Sequence, residues 1–238
     1  MNRVEVPLHE RIIFALDLAN PAEALQLVDQ LADHIRFFKV GLQLFFAGGW
    51  PVVEYIVAKG CKVMLDLKLY DIPTTVRLAV QQFADRGITF TTVHGYGPVV
   101  EAALAADTGV RILAVTVLTS FGSEQLQELN YTGTVDDLVV QRAGAALRLG
   151  CHGLVCSARE AALLRSRFGE KGIIVTPGIR PVGSEPGDQQ RTATPGQAII
   201  NGADYLVIGR PIRDADNREQ YIAALQREIA NALSPEPQ

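Results

Sequence analysis

Short, strongly apolar runs recur along the chain, with room for a helix between most of them. They are IIFALDL (12–18), FFKVG (37–41), KVMLDLKL (62–69), TFTTVHG (89–95), RILAVTVLT (111–119), GLVCS (153–157), GIIVTPGI (172–179) and DYLVIGR (204–210). Most are apolar at consecutive rather than alternate positions. That suits parallel strands covered on both faces by helices. The intervening segments read as helices. PAEALQLVDQLADHI (21–35) follows Asn20, a favoured N-cap, and places Pro21 at the first helical position. Helices predicted over 97–109, 135–150 and 157–169 each end in glycine, as helix C-termini commonly do. A short helix is predicted over 194–203 and a longer one over 218–233.

Strands alternating with helices in this way predict an α/β fold, a (β/α)8 TIM barrel. One domain is expected over 1–238, with 233–238 a frayed tail. A doubly wound open sheet is the competing arrangement. The segment after the first run, DLANPAEA, lacks the G-x-G-x-x-G of dinucleotide-binding sheets. Two connections are longer than the rest. SFGSEQLQELNYTGT (120–134) separates the fifth run from its helix, and RPVGSEPGDQQRTA (180–193) follows the seventh. The second is polar, holds Gly and Pro, and reads as a mobile loop on the active-site face.

Composition narrows the function. Hydrophobic residues make up 48% of the 238 and charged residues 20%, enough for a sizeable core. The net charge of −4 comes with no basic stripe, which argues against a nucleic-acid partner. No stretch approaches 18 uninterrupted apolar residues, so no membrane span is expected. The start, MNRVEVPLHERIIFALDL, does not read as a signal peptide. Cys61, Cys151 and Cys156 are odd in number and form no C-x-x-C pair, which points to a reducing, cytoplasmic setting.

Chemistry in such barrels lies where strands finish. Asp17 ends the first run, Lys39 lies near the end of the second, Asp66 and Lys68 lie in the third, and Asp71 follows it. Strand side chains alternate, so Met64, Asp66 and Lys68 share one face and Val63, Leu65, Leu67 and Leu69 the other. The charged face is then the barrel interior near its mouth. A lone strand aspartate can simply anchor a loop, and a lone lysine can neutralise it. Several such groups converging are harder to explain, because buried ion pairs seldom stabilise more than apolar packing. Lysines interleaved with carboxylates stay charged. A lysine so held can donate a proton in a fixed direction, but is a poor Schiff-base nucleophile. Asp17, Asp66 and Asp71 could ligate Mg²⁺ through oxygen, although two lysines in the same space oppose it. His94 reads equally as a hydrogen-bonded rim residue or a ligand contact. His9, His34 and His152 lack a metal-like spacing. At the other end of the chain, Gly209 and Arg210 follow the eighth run, and Pro177, Gly178 and Arg180 follow the seventh. Barrels often hold phosphate at these two loops. Gln189, in the 180–193 loop, is placed to close over the same group.

The run DLKLYDIPTTV resembles the D-x-K-x-x-D-I-P-x-T signature of the orotidine 5'-phosphate decarboxylase family. FALD (14–17), FKVG (38–41), VTPGIR (175–180), DQQR (188–191) and VIGRPI (207–212) agree with it, and the likeness runs from about 11 to 231. D-x-K-x-x-D alone also occurs in sugar-phosphate relatives, but I-P-x-T and VTPGIR favour the orotidylate enzyme. The resemblance implies a homodimer of barrels that decarboxylates orotidine 5'-phosphate without cofactor or metal. It implies that Lys68 is the proton donor, that Asp66 opposes the leaving carboxylate, and that Lys39 and the partner subunit's Asp71 complete the charged network. Asp17 and Lys39 are similar to ribose contacts, and Ile72 and Thr75 to residues reaching the neighbouring site. Thr119 and Ser120 resemble the segment that reads the pyrimidine, Pro177 a wall beside it, and Arg180, Gln189 and Arg210 the phosphate grip. A Mg²⁺-dependent sugar-phosphate decarboxylase and a non-catalytic nucleotide-binding barrel are the alternative readings.

Overall fold

Eight parallel strands close into a barrel in chain order: β1 (Ile12–Ala15), β2 (Phe37–Gly41), β3 (Lys62–Leu69), β4 (Ile88–His94), β5 (Arg111–Val115), β6 (Gly153–Val155), β7 (Ile173–Thr176) and β8 (Tyr205–Ile208). β8 pairs with β1 through Ile12↔Leu206, Ile13↔Val207 and Phe14↔Ile208, so the sheet has no open edge. This is a (β/α)8 TIM barrel, and the open-sheet alternative falls. The computed structural model describes residues 5–128, 130–180 and 192–234. The expected tail beyond 234, and with it Gln189 and most of the 180–193 loop, lie outside the described residues.

Two apolar layers explain why the strand runs lack polar positions. One face of each strand packs outward on the helices, as with Phe14, Phe38, Val63, Leu65 and Val93. The other fills the barrel, with Ile13, Phe37, Met64, Phe90, Val175 and Tyr205 among its residues. Three rings plug the interior. Phe37 lies 5.1 Å from Phe90 and 5.7 Å from Tyr205, and Phe90 lies 5.3 Å from Tyr205, between ring centroids. Two residues further along each strand, the inward position changes character. Phe37 gives way to Lys39, Met64 to Asp66 and Phe90 to Thr92. These three polar residues are 7%, 8% and 0% exposed. The plug therefore forms a dry floor under a charged layer.

Helices α1 (Pro21–Leu31), α2 (Leu42–Ala58), α3 (Pro73–Gln81), α4 (Gly97–Leu104), α5 (Ser123–Glu128), α6 (Val135–Arg148), α7 (Ala158–Phe168), α8 (Pro195–Ile200), α9 (Arg210–Arg213) and α10 (Arg218–Leu233) complete the order. Asn20 caps α1 as expected, its side chain accepting the N–H of Ala22 at 3.0 Å. Several ends differ from the sequence reading. α1 stops at Leu31, and α4 stops at Leu104, five residues before Gly109. Segment 120–134 is not a plain connection, since it holds α5. α2 and α3 were not assigned from the sequence; α2 carries only a weak amphipathic pattern, whereas α3 buries Val76 and Val80, four residues apart on one face. α2 bends at Gly49, whose φ of 58° and ψ of −148° break the helical path just before Pro51.

Candidate active site

β3 carries the centre of the site, and it is not a regular strand there. Leu65 aligns with Thr91 of β4, but Leu69 aligns with Val93. Four steps of β3 thus run beside two of β4, and Asp66–Lys68 bulges from the ladder. Lys68 takes a φ of 47°, in the left-handed region. For a residue with a Cβ that conformation costs roughly 1 kcal/mol or more. The expectation that Met64, Asp66 and Lys68 share the inner face holds, since all three line the cavity. The route differs, because simple alternation does not carry through a left-handed residue.

The charges alternate in space. Lys39 Nζ lies 2.7 Å from Asp17 Oδ1 and 3.6 Å from Asp66 Oδ2. Lys68 Nζ lies 2.9 Å from both oxygens of Asp66. Burial alone pushes the Asp66 carboxyl up. The ammonium groups of Lys39 and Lys68, with hydrogen bonds from Lys68 and Thr92, outweigh it, and its pKa falls below the ordinary aspartate value. Burial likewise pulls Lys39 down, but the Asp66 and Asp17 carboxylates outweigh it and its pKa is raised. A Cβ at Gly41 would stand 3.0 Å from Lys39 Nζ and 3.2 Å from Asp17 Oδ1, so any side chain there presses on this group.

These side chains border a cavity of about 550 Å³ at the C-terminal ends of the strands. Asp17 lies two residues past the end of β1 and still reaches it. Thr119, Ser120 and Pro177 line it together with Leu118, an apolar and hydroxyl-bearing stretch suited to a flat ring. Arg180, Gly209 and Arg210 line it too, and so does Arg213, which the sequence reading did not single out. Arg213 is bound to Asp214 Oδ1 at 2.6 Å and to the Asp17 carbonyl at 3.4 Å. Its signal in the sequence was weak, a second arginine in GRPIR. Gly178 makes the turn after β7 with a φ of 79°, where a side chain would be strained.

Asp71, Ile72 and Thr75 do not line their own chain's cavity. All three are exposed, and Asp71 Oδ1 accepts the N–H of Ile72 at 2.6 Å. His94 is half-buried at the end of β4, its ring edge-on to Tyr70 at 5.3 Å and outside the cavity lining. Burial, then Arg142 and Lys68, lower its pKa, which keeps the imidazole neutral near pH 7. Thr92 was also missed. A threonine in a strand attracts no notice, yet alternation places it on the inner face with Phe90 and His94, beside the charged strand. Among the described residues, no group of three or more His, Cys, Asp or Glu side chains is placed to hold a metal ion, and no helix is long and apolar enough to cross a membrane.

The arrangement can hold a flat, anionic, phosphate-bearing molecule with one end at the arginines and one edge at the Lys68 ammonium. Comparison with known proteins points the same way. A family model described as Orotidine 5'-phosphate decarboxylase / HUMPS family matches residues 10–225. A protein of Afipia carboxidovorans named orotidine 5'-phosphate decarboxylase is 50% identical over 225 residues, 94% of this chain and 96% of its own. One of the same name from Rhodopseudomonas palustris is 47% identical over 225 residues, with the same coverage. The crystal structure of orotidine 5'-phosphate decarboxylase from Lactobacillus acidophilus superposes with a TM-score of 0.82 at 34% identity, covering 92% of this chain and 99% of that one.

Proposed function

We propose how the cavity works from one premise: the chain belongs to the orotidine 5'-phosphate decarboxylase / HUMPS family. Its reaction is the decarboxylation of orotidine 5'-phosphate to uridine 5'-phosphate and carbon dioxide, in pyrimidine nucleotide biosynthesis. It is a carbon–carbon lyase that works without a cofactor.

The bond from ring carbon 6 to the carboxylate breaks, and carbon dioxide leaves. The electron pair stays on carbon 6 in the plane of the ring, where no adjacent group can delocalise it. The site must meet that charge as it forms. Lys68 is the group that does so. Its ammonium attracts the developing carbanion, an interaction stronger in the transition state than in the ground state. It then transfers a proton to carbon 6 and regains one from solvent. The observation that carries this reading is the clamp on Lys68 Nζ, 2.9 Å from both Asp66 oxygens at the cavity wall. Asp66 both aims the ammonium and faces the substrate carboxylate. Lys39 holds Asp66 from behind and, with Asp17, meets the ribose. Thr119, Ser120 and Pro177 flank the pyrimidine. Arg180 and Arg210, with Gly209, grip the phosphate, and Gln189 belongs to the same grip. The phosphate does not react, so its binding energy serves to assemble the site around the ring.

The active site is shared between two barrels. Asp71, Ile72 and Thr75 face away from their own cavity, and they sit beside exposed apolar side chains. Tyr70, Ile72 and Tyr96 are 65%, 67% and 55% exposed, with the two tyrosine rings 6.1 Å apart. Such a surface favours contact with a second copy. The three cysteines are buried and form no disulfide, in keeping with a reducing, cytoplasmic setting.

The direct test is to follow the ultraviolet absorbance of orotidine 5'-phosphate on adding the protein, with and without a chelator. Conversion is expected in both, at the same rate. An unchanged spectrum overturns the assignment, and conversion abolished by the chelator favours a metal-dependent sugar-phosphate type of chemistry. Mixing inactive Asp71→Asn and Lys68→Ala chains is expected to restore activity, since one site of each hybrid dimer then holds both native residues. No recovery in verified hybrids refutes the shared site.

A further inference from the structure

We propose that Thr92 is a positioning residue for this reaction: its single hydroxyl ties the Lys68 backbone to the Asp66 carboxylate and so aims the Lys68 ammonium into the cavity. The proposal rests on the roles given above to Lys68 and Asp66, and adds a residue that touches neither cavity nor substrate.

Thr92 is fully buried on β4. Its Oγ1 accepts the backbone N–H of Lys68 at 2.9 Å and lies 2.8 Å from Asp66 Oδ1. The direction of each bond follows from chemistry. An amide N–H can only donate, so it takes a lone pair of the hydroxyl. The ionised carboxylate can only accept, so it takes the hydroxyl proton. Asp66 in turn accepts from Lys68 Nζ through both oxygens. The result is a closed ring. It runs from the Lys68 main chain through Thr92 and Asp66 back to the tip of the same lysine.

The ring answers a problem that the bulge creates. The left-handed turn at Lys68 removes its N–H from the ladder with β4, and a buried, unpaired N–H is costly. Thr92 replaces the lost partner and fixes the strained residue at its root. Through Asp66 it fixes the same side chain at its end. A lysine has four rotatable side-chain bonds, and holding both ends removes most of that freedom before substrate arrives. The neighbouring Thr91 is a natural control. It is equally buried, but faces the helices, and its hydroxyl donates only to the Leu65 carbonyl at 3.0 Å.

The test compares Thr92→Val, Thr92→Ser and Thr91→Val in the full-length protein. It measures kcat, KM for orotidine 5'-phosphate, uridine 5'-phosphate affinity by calorimetry, and the urea midpoint. Thr92→Val keeps the shape and removes the hydroxyl. Its kcat is expected to fall about tenfold to a hundredfold, the scale of hydrogen bonds to a charged group. KM and uridine 5'-phosphate affinity are expected to stay within about threefold, because the phosphate and base contacts are untouched. Thr92→Ser restores kcat, and Thr91→Val changes the urea midpoint but not kcat. A Thr92→Val kcat within about twofold of the parent overturns the proposal. So does a Thr92→Ser as slow as Thr92→Val, or an equal kcat loss in Thr91→Val. If Thr92→Val does not fold, Thr92→Cys takes its place. Its thiol is a weak donor, so a kcat loss supports the role and parental turnover refutes it. Lys68→Ala separates the two levels: if it retains turnover, the chemistry assigned to Lys68 fails, whereas if it is inactive and Thr92→Val is not, only the role of Thr92 fails.

Discussion

Two buried ion groups sit at opposite ends of the same barrel and are built in opposite ways. At the closed end, where β7 and β8 begin, Asp204 Oδ2 accepts from Arg165 Nη2 at 2.7 Å and from the Ile174 backbone N–H at 2.8 Å. Arg165 spends its other donors on main-chain carbonyls. Its Nε reaches Gly202 at 3.0 Å, and its Nη1 reaches Gly172 at 3.1 Å and Gly169 at 3.3 Å. That guanidinium is held mostly by backbone, with Glu170 Oε2 3.9 Å from Nη1, and does not line the cavity at the other end. At the open end, the polar partners of the Lys39 and Asp66 side chains are other side chains, among the described residues. Those groups border a cavity of about 550 Å³. An ion pair knitted into main chain fixes the positions of strands. A chain of alternating charges, held by one another and opening on a void, remains able to meet a further charge. Burial of charge alone therefore does not mark a reactive site; where the remaining hydrogen-bonding capacity points does.

The sharpest way to break this contrast is to remove one cation from each end. Lys68→Ala is expected to lower kcat/KM by about 10⁴-fold or more, since in the proposed mechanism one group both stabilises the carbanion and protonates it. Stability should hardly move, because Lys68 is one-third exposed at 33% and Asp66 keeps Lys39. Uridine 5'-phosphate should still bind, which calorimetry checks. Turnover near the parental value would remove Lys68 from the chemistry.

Arg165→Ala should give the reverse result. It takes from Asp204, buried at 2% side-chain exposure, its ion pair with Arg165 and strips three carbonyls of a donor. The expected loss is about 1.5–3 kcal/mol of unfolding free energy, read from the urea midpoint. The kcat of the folded protein should stay within about twofold. A large kcat loss at unchanged stability would mean that the closed end is not merely scaffold.

The two ends also differed in how much the sequence disclosed. The barrel was legible because strands buried on both faces leave unbroken apolar runs, and no surface pattern competes with them. α2 was not, because LQLFFAGGWPVVEYIVA is mostly apolar, with Gln43 and Glu54 its only amide or charged side chains, and is interrupted by Gly48, Gly49 and Pro51. The mouth was legible in its charges, since Asp17, Lys39, Asp66 and Lys68 stand where apolar residues would otherwise continue. Their roles came from the likeness of DLKLYDIPTTV to a family signature rather than from spacing. What stayed hidden was geometry that residue type does not encode. Alternation put Lys68 on the correct face without revealing the left-handed turn that takes it there. It gave no hint that Thr92 would hold that turn, nor that Arg165 and Asp204, about forty residues apart in the chain, would meet.

The smallest expected effect concerns protons at the open end. The neighbouring ammonium groups hold the Asp66 pKa below its ordinary value despite burial. An unfolded aspartate binds its proton near pH ~3.9. Below that pH the unfolded chain takes up a proton that folded Asp66 still refuses, so acid favours unfolding. The stability from this group is fully present above the unfolded value, and is lost as pH falls through the lower folded one. Urea unfolding between pH 5 and pH 3 should therefore show a steeper loss in the parent than in Asp66→Asn. The difference in slope is at most about 1.4 kcal/mol per pH unit, the limit for one proton. Other carboxylates contribute to both proteins alike and cancel in the comparison. Parallel curves would mean that Asp66 gains no more from Lys39 and Lys68 when folded than burial costs it. The network would then hold its shape by packing rather than by charge, and the distinction between the two ends of the barrel would lose its electrostatic basis.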